Sequence, residues 1–235
     1  GFDAAGEGGA VRAVNVTVVG ARFVANYAGD TGGAIYASDN VLSQWSVYEE
    51  NTAGTSGGAI YAGTALRTIH DQFLGNHAAD YGGAIYGIES ADSTAGVYVN
   101  NSLTGPSSYS FGGAIASDAA VTSRFDTFRG NYSETFAGAV YGGNGVDSSG
   151  GTYRDNTSGE YGGAIYTVSN VSSLHDTFEG NSAFYDGGAI YADFDVESTG
   201  GTYEDNAAGE YGGAITSYYG KVTSFGDTFR RNFAI

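Results

Sequence analysis

Two short motifs recur along the 235-residue chain in fixed register, and they constrain its fold more than any other feature. A Gly-Gly-Ala tetrad closed by a β-branched residue begins at Gly8, Gly32, Gly57, Gly82, Gly112, Ala137 (as Ala-Gly-Ala-Val), Gly162, Gly187 and Gly212. The spacings are 24, 25, 25, 30, 25, 25, 25 and 25 residues. An aromatic-x-x-Asn motif keeps step with it, at Phe23/Asn26, Tyr48/Asn51, Phe73/Asn76, Tyr98/Asn101, Phe128/Asn131, Tyr153/Asn156, Phe178/Asn181, Tyr203/Asn206 and Phe229/Asn232. A period of this length marks a repeat architecture.

Composition decides which one. Leu occurs five times, Lys once and Met never, so the residues that build helices are missing. Glycine is abundant, at 40 residues, but follows no triplet rule, and there is 1 proline, which excludes collagen. Each unit instead holds three β-like pieces separated by Gly, Asp, Asn and Ser: Ile-Tyr-Ala, a Val-x-Ser stretch, and Thr-Phe or Thr-Tyr before the Asn. Three short strands and three turns make one coil of a parallel β-helix, and coils stack at ~4.8 Å, giving a rod about 43 Å long. The chain is thus expected to be all-β and a single domain over 1–235. A partial coil covers 1–7, nine coils of 25 residues cover 8–232, and an insertion with the sole proline, Pro106, lies within 102–111.

Stacking predicts files of like residues. Ile35, Ile60, Ile85, Ile115, Val140, Ile165 and Ile190 would form one inward file and the aromatics another. Asn26, Asn51, Asn76, Asn101, Asn131, Asn156, Asn181, Asn206 and Asn232 would form a structural ladder, each amide bonded to those above and below. The glycine pairs permit a tight corner at positive φ. Tyr36, Tyr61, Tyr86, Tyr141, Tyr166 and Tyr191 alternate with the inward Ile and so would face outward. They could bind sugars, make lateral contacts, or merely stack on each other and stiffen the coil.

Odd and even coils differ. Odd coils carry Asp71, Asp126, Asp176 and Asp227 two residues before a Phe; even coils carry Ser or Gly there and a Tyr. The residue before the ladder Asn alternates between Gly75, Gly130, Gly180 and Glu50, Asn100, Asp155, Asp205. Wider spacing of like charges, or duplication of a two-coil unit, would each account for this.

The paired Gly-Gly-Ala-Ile/Val and aromatic-x-x-Asn motifs resemble the repeats of polymorphic outer-membrane proteins, found in chlamydial and other bacterial surface proteins. The resemblance covers Gly8 to Asn232. It implies a right-handed parallel β-helix acting as a surface adhesin or antigen, at an extracellular or cell-surface location.

Other functions find less in the sequence. A formal charge of −17 argues against nucleic acid and anionic membranes, and no apolar run reaches the ~18 residues of a membrane span. Parallel β-helices can cleave polysaccharides, and Arg129, Arg154, Arg230 with Asp71, Asp126 and Asp176 are the groups to consider. Their recurrence from coil to coil points to structure, so no catalytic residue is assigned. His70, His77 and His175 lack metal-ligand spacing, and no metal or cofactor is expected. N-x-Ser/Thr occurs at Asn15, Asn100, Asn131, Asn156 and Asn170, two of them in the ladder.

The termini supply the sharpest expectation. Gly1–Glu7 resembles the tail of an even coil, and Phe229–Ile235 stops partway through an odd one. The chain reads as a processed product or a segment of a longer solenoid. Stacked-coil edges need covering, so the chain is expected to continue into further coils or to self-associate head to tail as a filament or stalk. Phe2, Phe229, Phe233 and Ile235 would make that contact. Surface glycans are the other candidate partners, through the Tyr file.

Overall fold

The computed structural model describes residues 3–4, 6–105 and 109–235, with the backbone alone at 3–4. Phe2 and Pro106, both singled out in the sequence, lie outside the described residues. Every strand pairs in parallel with its counterpart one coil away, and there is no helix among the described residues. The coils form four sheets of nine, nine, nine and ten strands. In the coil that starts at Gly57 the strands are Ile60–Ala62, Ala65–Ile69, Gln72–Leu74 and His77–Ala78.

The number of strands per coil corrects the expectation of three. The fourth sheet is made of two-residue pieces directly after the ladder Asn, such as Thr52–Ala53 and Ala207–Ala208. Two residues are too few to show an apolar alternation, so these pieces read as turn. They pair because the corner at the Asn leaves the chain running along the neighbouring coil.

The interior follows the register. Ile60 pairs with Ile35 and Ile85, Ile115 with Val140, and the whole file is fully buried. Aromatic rings from Phe23 to Phe229 stack one per coil, with centroids 4.7–5.1 Å apart and planes within 14° of parallel. The 30-residue unit keeps the stack: Phe128 lies on Tyr98 as closely as the others. The pitch is therefore unaltered across this unit.

Three corners in each coil place a residue at positive φ. At the glycine pair the first residue has φ near 65°, as at Gly32 and Gly57, and Ala137 alone takes it with a side chain (φ 57°). The second glycine is needed for a different reason. A Cβ on Gly33 would lie 2.0 Å from the carbonyl oxygen of Gly58 in the next coil.

The other two corners explain the two-coil period sterically. Side chains there lie flat across the same position of the next coil. A Cβ at Gly130 would be 2.5 Å from Asn100 Oδ1, at Gly180 2.7 Å from Asp155 Oδ1, at Gly150 2.7 Å from Phe125, and at Gly200 2.3 Å from His175. At these four steps a larger residue on one coil is met by glycine on the next. Trp45 and His70 show the alternative, two flat rings stacked at 4.0 Å.

Candidate functional site

Each ladder Asn from Asn51 to Asn206 uses its whole amide. Asn51 Oδ1 accepts from the main-chain N and the Nδ2 of Asn26, while Asn51 Nδ2 donates to Asn76 Oδ1 and to the carbonyl of Phe23. The pattern repeats to Asn206 and Asn232, whose bonds are 3.0 and 2.9 Å. The eight residues from Asn26 to Asn206 are buried. A buried amide is tolerable only when satisfied in this way. Asn131 and Asn156, which head two sequons, are therefore closed to a glycan.

A second buried file runs beside the aromatics. Asp71, Asp126 and Asp176 are 0, 1 and 1% exposed. Each takes a main-chain N–H from the coil before: Ser46 at 2.6 Å, Gly96 at 2.7 Å, Gly151 at 2.7 Å. Ser123 and Ser173 donate to the second oxygen of Asp126 and Asp176 at 2.7 Å. At Asp71 the equivalent residue is Thr68, whose hydroxyl meets Tyr98 instead, and Asp71 Oδ2 has no partner. Burial pushes the Asp71 and Asp126 carboxyls up to about 6 and raises that of Asp176, against the lowering effect of these bonds. Even-coil tyrosines complete the network: Tyr48, Tyr98, Tyr153 and Tyr203 place their hydroxyls 2.8–2.9 Å from Ser43, Ser93, Ser148 and Ser198.

The burial of these carboxylates was open to the sequence. Asp71 stands two residues before the inward Phe73, so strand alternation puts both on one face. The carboxylates considered for polysaccharide cleavage thus lie inside the rod. Arg129 and Arg154 are exposed, and Arg154 and Arg230 are paired with Glu179 and Glu204. No cleft brings the two sets together among the described residues.

The outward Tyr file requires a correction. It does alternate with the inward Ile, but it is not an exposed strip: Tyr86, Tyr166 and Tyr191 are 7, 8 and 6% exposed, and Tyr36, Tyr61 and Tyr141 are half-buried. Its rings cover one another, with Tyr36 on Tyr61 at 5.1 Å, Tyr141 on Tyr166 at 5.9 Å and Tyr166 on Tyr191 at 5.4 Å. A neighbouring external file, Tyr81, Phe111, Phe136 and Tyr161, packs against its flank. Where the Tyr file has Ala116, Phe111 approaches Tyr141 at 4.6 Å. Burial raises the phenol pKa values, that of Tyr141 to about 12. Stacked faces leave ring edges for a partner, and sugar stacking needs a free face.

The histidines are scattered. His70 lies on Trp45, and His77 meets Ser102 and Thr104 at 3.2 and 3.3 Å, its pKa lowered by burial. Among the described residues no three His, Asp or Glu are grouped to hold a metal ion.

At the end of the stack, Phe229, Phe233 and Ile235 are exposed together with Val222 and Phe225. In the coil before, Val196 and Tyr203 occupy the positions of Val222 and Phe229 and are fully buried. Arg230 and Arg231 clamp this coil to Glu204 and Asp205 below it, Arg231 Nε reaching Asp205 at 2.7 Å.

Four parallel sheets, one satisfied Asn per coil and a closed apolar interior define a parallel β-solenoid built of short repeats. Three segments, 49–63, 72–88 and 177–193, match the Chlamydia polymorphic membrane protein repeat. Each match runs from the aromatic-x-x-Asn corner or its tail through the Gly-Gly-Ala-Ile tetrad: Asn51 to Ile60, Phe73 to Ile85, Phe178 to Ile190. These three segments are similar to that repeat, and together they cover well under half of the chain. No curated protein and no solved structure matches it.

Proposed function

We propose that the chain serves a non-catalytic, structural role at a cell surface, as a rod that displays or spans and that lengthens by docking coil on coil. The repeat type supports the surface location. The observation that carries the assembly is the last coil, where the inward positions Val222 and Phe229 are 45 and 48% exposed while Val196 and Tyr203 one coil earlier are fully buried. Its strands also have a hydrogen-bonding neighbour on one side only. Apolar area of this kind is worth about 25 cal/mol per Å² once covered, and unpaired strand edges recruit other strands. At the opposite end Phe23 is stacked on one face by Tyr48, with no second ring among the described residues, and Val11 is half-buried. A second copy offers what each edge lacks: a flat ring for the ring column, and main-chain groups for the sheets. Such a contact is heterologous and repeats indefinitely, which makes a filament.

Sedimentation across a concentration series tests this. Association that grows with concentration, and that Phe229→Asp abolishes without unfolding the rod, is the expected result. A monomer at every concentration would remove self-assembly from the account.

A further inference from the structure

The fourteen asparagines of the chain differ sharply in what protects them. Nine belong to the ladder, where both ends of the amide are bonded from Asn51 to Asn232 and Asn26 Nδ2 donates to Asn51 Oδ1. Asn15, Asn40 and Asn170 are exposed at another corner, but each is followed by a valine whose branched side chain crowds the next main-chain nitrogen. Asn15 Oδ1 and Asn170 Oδ1 are also engaged, accepting main-chain N–H groups from Asn40 and Asp195 at 3.2 and 2.8 Å. Asn100 is followed by Asn101, whose main-chain nitrogen donates to Asn131 Oδ1 at 2.9 Å.

Asn144 has none of these protections. It is exposed, its amide has no hydrogen-bond partner among the described residues, and it precedes Gly145, the one Asn-Gly pair in the chain. Gly145 is buried and adopts φ 124°, a conformation rarely open to residues with a side chain, and it carries no side chain of its own to crowd its nitrogen. That nitrogen is held loosely, donating to the Gly142 carbonyl at 3.3 Å.

We propose that Asn144 is a site of spontaneous conversion to aspartate and isoaspartate. The Gly145 nitrogen, on losing its proton, attacks Asn144 Cγ. The new N–Cγ bond closes a five-membered imide, the Cγ–Nδ2 bond breaks, and the amide nitrogen leaves as ammonia with the protons. Water then opens the ring at either carbonyl. One water is consumed, one ammonia is released, and nothing is oxidised.

The position makes the change consequential. Asn144 lines a surface groove with Asp147, Asn170, Asp195 and Glu197, so the reaction adds a carboxylate to an already acidic rim. The isoaspartate form also lengthens the main chain at a corner where Asn144 N donates to the Ala119 carbonyl at 3.0 Å.

Peptide mapping by mass spectrometry after incubation of the whole folded protein in warm, mildly alkaline buffer decides it. A gain of about 1 Da confined to the Asn144 peptide, and absent in Asn144→Gln, is expected. A free peptide spanning Gly142–Asp147 serves as the chemical control. If that peptide reacts while the folded chain stays intact, the corner protects the pair and the proposal fails. Reaction first at Asn15, Asn40, Asn170 or a ladder residue would overturn it equally.

Discussion

A carboxyl group inside a rod of apolar rings is costly when ionised, and Asp71 and Asp126 titrate accordingly. Their folded pKa, about 6, lies above the ordinary value of 3.8, so protonation favours the folded state. This contribution is complete below about pH 4 and is lost as pH rises through about 6. Melting temperature should therefore climb on acidification from neutral pH to about 5. Asp126→Asn keeps the acceptor for Gly96 and carries no charge. It should melt higher than the parent at neutral pH and level with it near pH 4, flattening the profile. A parent and variant with parallel profiles would show that Asp126 is not the titrating group. The glycines make a second prediction at this scale. Gly226 has open space around it and only its φ to lose, so Gly226→Ala should cost about 1 kcal/mol. A Cβ at Gly163 would sit 2.1 Å from the Gly188 carbonyl. Gly163→Ala must push neighbouring coils apart, and urea titration should find it several-fold worse.

Ladders couple each coil to the next, so damage to one should be felt on both sides. Asn156→Ala removes the acceptor for Asn131 N and Nδ2 and the donor to the Phe128 carbonyl, all buried. At ~1–3 kcal/mol for each orphaned group, a loss of roughly 3 kcal/mol or more is expected. Hydrogen exchange should quicken at Asn131 and its neighbours before it quickens at the ends. Uniform protection across the rod would contradict a coil-by-coil ladder. The ladder itself was legible, because identical residues at a fixed period can only pile up if the period is one circuit. The fourth strand was not, since two residues leave no alternation to read. The Tyr file was half legible: alternation gave its direction, but its cover comes from Tyr81, Phe111, Phe136 and Tyr161. Those residues stand on an adjacent corner, and only the curvature of the coil brings the two files together.

For the molecule as a whole, regularity is the dominant fact. Nearly every contact lies between residues about one coil apart, so stability adds up along the axis, as in other solenoids. The polar network, the rings and the Ile file all run the length of the rod and stop only at its edges. The two-coil alternation was visible in the sequence, but its steric cause was not. It depends on side chains at positive φ lying across the next coil, as Asn100 lies across Gly130. Electron microscopy of the purified chain is the most direct measurement. Rods of uniform width, with lengths in multiples of about 43 Å that grow with concentration, are the predicted image. A field of single particles that never exceed one such length, however concentrated, would contradict assembly by stacking.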